Sequence, residues 1–513
     1  MVFSSYAFIF LFLPGTWLLF LLTSRFLSHT WSMAWLTIAS LFFYAYWNPA
    51  YLPLILLSVT GNFWLARAMG RWGASWGKPL LITGIMANLG LLGWFKYLDF
   101  LVGNLNHFLE QPLSLPGILL PLGISFFTFQ QIAFLVETER GRVDEPHYLN
   151  YLLCITFFPH LIAGPIIHPE EILSQLRRGK RRPFRWNNLS LGLTLFIVGL
   201  AKKLLIADPM GSYADPVFAY AAGGAPVPLL EAWAGALSYT FQLYFDFSGY
   251  SDMAIGLARL FGIRFPQNFN SPYQAVNIID FWRRWHITLS RFLRNHLYIP
   301  LGGNRRGGLT TLRNLLITML LGGLWHGAHW TFVVWGGMHG LALIVNHLWR
   351  EWNLWQMPRW FARLLTFLMV VVGWIYFRAP NLSVANSLLQ SLLGVNGLHL
   401  HQKWLDKFSW LSEQAQHGYV VVQDTHVLIN TGQVLGHCLV LWAAVWFLPN
   451  IYQWLAPFHP VIEPCQPLVP RKHRLYRWIH WFPHPAWALL TAGLLGWSLL
   501  SIDQGNAFLY FQF

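Results

Sequence analysis

The stretch LLITMLLGGLWHGAHWTFVVWGGMHGLALIVNHLW, Leu315 to Trp349, contains no Lys, Arg, Asp or Glu. One crossing of a bilayer needs about 20 apolar residues. A run this long therefore holds one membrane span and part of another, or two spans. Inside it stand His326 and His329, where lipid or packed side chains are expected. Two questions follow: whether the whole chain is a membrane protein, and why imidazole is placed there.

Composition answers the first. Of 513 residues, 55% are hydrophobic, 17% aromatic and only 11% charged, against roughly 25% charged in soluble globular chains. This excludes a large soluble enzyme. Phe26 to Ala66 and Val427 to Ile462 are also free of charged residues. The expectation is an all-α, polytopic integral membrane protein with roughly 10–12 transmembrane or re-entrant segments, several of them short or broken. Met1 to Ser24 has no basic residue before its apolar stretch, so it reads as a retained first span rather than a secretory signal. Arg25 follows directly, which orients the N-terminus outward. Basic clusters at Arg67 to Lys78, Arg177 to Arg185 and Arg471 to Arg477 fit cytoplasmic loops. The net charge of +14 reads as topology and contact with anionic membrane lipid. It does not point to nucleic acid, because no soluble basic domain is present to hold any. Cys154, Cys438 and Cys465 are isolated, which suggests neither a disulfide framework nor a zinc site.

Three places look like broken membrane segments. In FFPHLIAGPIIH, Phe157 to His168, Pro159, Gly164 and Pro165 oppose a regular helix and bring His160 with them. In YFDFSGYSDM, Tyr244 to Met253, Asp246 and Asp252 flank Ser248-Gly249. Ionisable residues at membrane depth are costly and mark functional sites or internal pairs. The third is GLWHGAHW, Gly323 to Trp330. A helix entering near Leu315 would carry His326 about 16 Å inward, close to the middle of a core about 30 Å thick. His329 would follow one turn later on roughly the same face. Gly322, Gly323 and Gly327 leave room for a close approach.

FWRRWHITLSRFLRNHLYIPLGGNRRGG, Phe281 to Gly308, reads differently. Trp282, Trp285, Leu289, Phe292 and Leu293 recur at helical spacing, with Arg283, Arg284, Arg291 and Arg294 mostly opposite. This predicts an amphipathic helix at an interface, with His286 on its buried stripe. The glycine-rich loop that follows carries Arg305 and Arg306. It could bind donor phosphates, or serve only as a basic turn, since it lacks the P-loop ending.

The chain has no GxSxG, HExxH or clustered Cys/His set, and His326 with His329 lacks a third metal ligand at suitable spacing. What remains is histidine as a general base, for which an unperturbed pKa of about 6.5 is suited. Deprotonating a hydroxyl as it attacks a thioester fits this arrangement. A proton-coupled transporter, or a non-catalytic scaffold for a periplasmic acetyltransferase, stands as the alternative.

QLYFDFSGYSDMAIG, FWRRWHITLS, YIPLGGNRRGG and GGLWHGAHWTFVVWGGMHG, in that order, resemble the membrane-bound O-acyltransferase superfamily, in its bacterial alginate O-acetyltransferase-like branch. MVFSSYAFIFLFLP, FPHLIAGP, GWIYFRA and the Phe-rich end fit the same branch. The resemblance implies helices around a central tunnel, with His326 catalytic and His286 at the second family position. It implies supporting or tunnel-lining places for Asp246, Asp252, His160 and Trp325. It further implies acetyl-CoA as donor with no bound cofactor or metal, a polysaccharide acceptor outside the bacterial inner membrane, and a periplasmic partner of the SGNH type. The expected organisation is N-terminal spans over 1–140, a catalytic core over 141–379, and a polar loop with C-terminal spans over 380–513. Many relatives have Asp-Tyr where this chain has Asn295-His296, and the loop Gly397 to His426 has no placed counterpart. The glycan stays open among alginate-like polymers, cellulose and peptidoglycan.

Overall fold

A computed structural model describes residues 1–143, 147–177, 184–352, 355–407, 409–417, 420–423, 428–469, 479–502 and 508–509. The basic cluster Arg471 to Arg477 and most of Arg177 to Arg185 lie outside these residues. Among the described residues the regular structure is helical, apart from one pair of four-residue strands. Six helical stretches among the described residues are long and apolar enough to cross a membrane: Ala7–Phe26, Pro49–Gly73, Ser75–Leu105, Trp186–Ala222, Trp330–Glu351 and Arg359–Arg378. Thr431–Phe447 and Pro485–Leu500 are shorter apolar helices. The chain is a polytopic helical membrane protein.

By its contacts the chain divides into two units built from interleaved segments. The first comprises Met1–Ala201, Ser248–Asn268 and Asn450–Asp503. Its aromatic core stacks Phe3, Phe8, Phe12, Phe43 and Phe158, with Phe12 and Phe158 edge-on at 5.3 Å. Gly73 (φ 64) breaks two helices apart, a backbone state that glycine tolerates best. Buried amides join helices where water cannot: Asn62 donates to Gln131 (2.8 Å), and Asn88 donates to Asn62 (2.7 Å). The Trp186–Ala201 helix meets Ser248–Leu260 backbone to backbone. A β-carbon at Gly199 would lie 2.5 Å from the carbonyl oxygen of Gly249, and one at Gly256 would lie 2.6 Å from that of Gly192. The helix Tyr148–Thr156 stops before Phe157, and Phe157 to His168 runs as buried turns, as Pro159, Gly164 and Pro165 require.

Tyr244 to Met253 is not broken. It lies within one helix, Leu229–Leu260. A single glycine in a helix costs about 1 kcal/mol, and here the small residues serve the close packing just described.

The second unit comprises Lys202–Phe247, Phe269–Pro449 and Gln504–Phe513. Its centre is a hairpin of Gly308–His326 and Trp330–Glu351, against which Arg359–Arg378 packs. A methyl group at Gly323 would run into the carbonyl oxygen of Phe332, and one at Gly336 into that of Met319. Small residues thus let the two backbones approach, as is common between membrane helices.

The interfacial segment differs from one continuous amphipathic helix. It forms two short helices, Ile278–Trp282 and Ile287–Leu293, separated by a break. The break has a local cause. The backbone N–H of Asn270 donates to the carbonyl of Arg284 (2.9 Å), which removes an acceptor from the helical ladder. His286 then takes a left-handed conformation (φ 42, ψ 53), and its carbonyl restarts the helix by accepting from Ser290 (3.0 Å). Of the apolar stripe, Trp285, Leu289, Phe292 and Leu293 are buried, while Trp282 is half-buried. Within Gly397 to His426, Leu398–His401 and Val420–Gln423 pair in parallel, Leu398 opposite Val420.

Candidate active site

His326 is the last residue of the Gly308–His326 helix, not a mid-helix residue. The helix cannot continue, because Gly327 turns extended and lets the ring of Phe332 close against its α-carbon. His329 therefore does not share a helical face with His326. It is the exposed N-cap of the next helix. His326 itself is 8% exposed. Its imidazole stands within ring contact of Trp325 (4.9 Å), Trp335 (5.2 Å, 88°) and Phe377 (5.2 Å).

Trp325 joins the two histidines that sequence singled out. Its ring lies 6.3 Å from that of His286 and 4.9 Å from that of His326. His286 is fully buried, and Phe247 meets it edge-on at 4.8 Å and 85°. His286 lies outside the spanning helices. Burial lowers its pKa from 6.5 to about 3, so the ring is neutral at physiological pH.

Asp246 immediately precedes Phe247 on the Leu229–Leu260 helix. It is buried and ion-paired with Lys203 (2.7 Å), and it accepts a hydrogen bond from the backbone of Leu509 (3.2 Å). Lys203 also pairs with Asp208 (2.7 Å) and lies 4.8 Å from the centroid of the Phe508 ring. The lysine sits in a π-helical turn, Lys202–Ala207, a device that often re-aims side chains at functional sites.

Asp252 and His160 belong to the first unit. Asp252 accepts from the hydroxyl of Tyr452, and Nδ1 of His160 lies 3.1 Å from the amide of Gln130. Both are buried within packed structure. Arg305 and Arg306 are exposed on the turn after Ile299. That turn is built rather than loose: Gly302, Gly303 and Gly307 all have positive φ, and Asn314 donates to the carbonyls of Leu301 (3.2 Å) and Gly303 (3.0 Å).

Sequence reasoning missed His339. It is fully buried, with its ring 4.7 Å from Trp335, 5.3 Å from Trp282 and 6.3 Å from Trp374. Neither ring nitrogen has a hydrogen-bond partner among the described residues. A β-carbon on Gly373 would lie 3.1 Å from Nε2. The signal was available: GGMHG lies in the same charge-free stretch as His326, and the argument that selects one buried histidine selects the other.

Chemically, an imidazole at a helix end, walled by aromatic rings, can take a proton from a hydroxyl without competition from bulk water. Residues 124–388 match the sequence profile of the MBOAT, membrane-bound O-acyltransferase family. That is about half the chain, and it contains His160, Lys203, Asp246, Asp252, His286, Arg305, Arg306, Trp325, His326 and His339. The chain belongs to the membrane-bound O-acyltransferase family.

Similarity to particular members extends further. A peptidoglycan O-acetyltransferase of Helicobacter pylori is 44% identical over 78% of this chain and 81% of its own length. A probable alginate O-acetylase of Pseudomonas aeruginosa is 43% identical over 75% of this chain and 73% of its own. A teichoic acid D-alanyltransferase of Bacillus subtilis is more distant, 28% identical over 50% of this chain and 68% of its own. This membrane-bound O-acyltransferase is accordingly an enzyme, an acyltransferase that works within a membrane.

Proposed function

We propose that this enzyme moves an acetyl group from a cytoplasmic thioester across the bacterial inner membrane, for O-acetylation of an extracytoplasmic polysaccharide. His326 acts as general base. The imidazole takes the proton of an attacking hydroxyl while the hydroxyl oxygen bonds to the thioester carbonyl carbon. The C–S bond then breaks, and the leaving thiolate recovers the proton from the imidazolium. Acetyl-CoA is the simplest donor, and Arg305 and Arg306 are suited to its phosphates. The first acceptor is the glycan or a periplasmic SGNH-type partner that passes the group on. Peptidoglycan and an alginate-like polymer are the acceptors that the names of the relatives favour. D-alanyl transfer ranks below acetyl transfer because the D-alanyltransferase is the more distant relative.

The observation that carries this reading is the placement of His326 at a helix terminus, with Trp325 touching both it and His286. The test is alkali-released acetate from each extracellular glycan fraction in wild type, His326→Ala and a deletion strain, with membrane protein levels matched. Acetate at the deletion level in the variant supports the base, and the fraction that lost it names the glycan. Wild-type acetate in the variant sinks the assignment.

A further inference from the structure

A cavity of about 680 Å³ lies in the second unit, apart from the histidine site, between the C-terminal end of Trp330–Glu351 and the N-terminal end of Arg359–Arg378, two helices long and apolar enough to span a membrane. Much of its lining is apolar, with Ile278, Ala342, Leu365 and Met369 among it. Its mouth is cationic. Arg350 stands in the last turn of one span and Arg359 opens the next, and both line the cavity. Neither has an acidic partner among the described residues, and the neighbouring Glu351 lies 3.9 Å from His347. Trp349 and Trp355 line the cavity too, and the indole N–H of Trp349 donates to the carbonyl of Trp355 (3.1 Å). Asn346 also lines the cavity, and its side-chain oxygen is buried without a partner among the described residues.

An apolar lining between two spans, a pair of arginines at the membrane face and tryptophans at the same level match one ligand chemistry. Acyl chains cover the apolar lining, a phosphate meets the guanidinium forks, and indoles sit at headgroup depth. We propose that this cavity binds one anionic diacyl phospholipid, with its phosphate on Arg350 and Arg359 and its acyl chains between the two spans. The two arginines stand at the facing ends of the two helices and line one cavity, which concentrates their charge at a single place. This inference is independent of the acyl-transfer chemistry.

The test is native mass spectrometry of the full chain, delipidated in detergent and supplied with dioleoyl phosphatidylglycerol or dioleoyl phosphatidylcholine. The wild type should hold one phosphatidylglycerol with a preference of about 10- to 30-fold, as two interfacial arginines would give. Arg350→Gln with Arg359→Gln should bring that preference close to one. Arg71→Gln with Lys78→Gln, which removes as much charge elsewhere, should leave it intact. Ala342→Trp should block binding of either lipid at this site by filling the apolar part of the cavity. If the double arginine variant melts early, the salt dependence of the wild-type preference decides, since a charge-based preference must fall as salt rises. Equal binding of the two lipids by the wild type overturns the proposal, as does a preference that survives loss of both arginines or resists salt. One-for-one displacement of phosphatidylglycerol by coenzyme A would overturn it in favour of a soluble phosphate ligand.

Discussion

The imidazole of His286 meets the ring of Phe247 edge-on, 4.8 Å between centroids and 85° between planes. Phe247 follows Asp246 directly, so the buried ion pair and the buried histidine are held by consecutive residues of one helix. Phe247→Leu keeps most of the apolar volume and loses the ring edge. It should lower acyl transfer several-fold with only a small change in melting temperature. Phe247→Ala opens a cavity and should destabilise by about 3–5 kcal/mol. Equal activity in wild type and Phe247→Leu, at matched protein levels, would show that the ring does not orient His286.

His286 makes a pH-dependent contribution to stability whose sign is fixed. Its folded pKa, about 3, lies below the ordinary value of 6.5. Above pH 6.5 the ring is neutral in both folded and unfolded chains. Between 6.5 and 3 only the unfolded chain takes the proton, so stability falls with pH by about 1.4 kcal/mol per unit. The melting temperature in detergent should drop between pH 6.5 and 4.5, and His286→Asn should flatten that slope. Asn tolerates the left-handed backbone, so the variant isolates the titration from strain. Parallel slopes in the two proteins would assign the titration to another group.

The close approach between Gly323 and Gly336 lies one helical turn before His326 on the Gly308–His326 helix. Gly323→Ala should push the hairpin apart and reduce acyl transfer more than tenfold, because an ångström of misplacement at the reacting groups is enough for that. Gly436→Ala, in a place where a β-carbon meets nothing within 4 Å, is the matched control. Comparable activity in the two variants would free the hairpin contact from any part in catalysis.

Lys203 neutralises two buried carboxylates. Lys203→Met should destabilise the protein by about 3–5 kcal/mol by leaving buried charge uncompensated. Adding Asp208→Asn and Asp246→Asn should restore much of the melting temperature. A triple variant no more stable than Lys203→Met would mean that the lysine acts through packing rather than charge.

Cys465 should be a slow nucleophile although it is only partly buried. Burial, and next the Glu463 carboxylate, push its thiol from 9.0 up to about 12. That cuts the thiolate fraction about a thousandfold. N-ethylmaleimide at pH 7.5 should leave activity intact over an hour, with no modification at this residue by peptide mass. Rapid inactivation traced to Cys465 would contradict the assignment.

Sequence made some of this structure legible and hid the rest for identifiable reasons. Pro159, Gly164 and Pro165 announce the irregular segment they form, because proline removes a donor and glycine frees the backbone. The turn after His326 escapes the sequence reading: Gly327 looks like room for a close approach within one helix, whereas it ends the helix and separates His326 from His329. No such marker precedes His286. Its break arises from a tertiary hydrogen bond between Asn270 and Arg284, which no local pattern encodes. Ser248-Gly249 gave the opposite error. It reads as a breaker, but the helix runs through because neighbouring glycines bring another helix against it. The histidine pair was found as two separate motifs, and only the structure puts the Trp325 ring between them.

The hydrogen bond from Leu509 to Asp246 spans 263 residues. At a ribosomal pace of about 5–20 residues per second, Asp246 waits roughly 13–53 s for this donor after it is made. Lys203 and Asp208 emerge earlier, so the counter-ion is available to the carboxylate before its final amide has been made. Assembly around this site therefore has two dated steps. A chain stalled between them would hold a charge-paired aspartate with one acceptor oxygen unclaimed, a state that a membrane protease could distinguish from the finished enzyme.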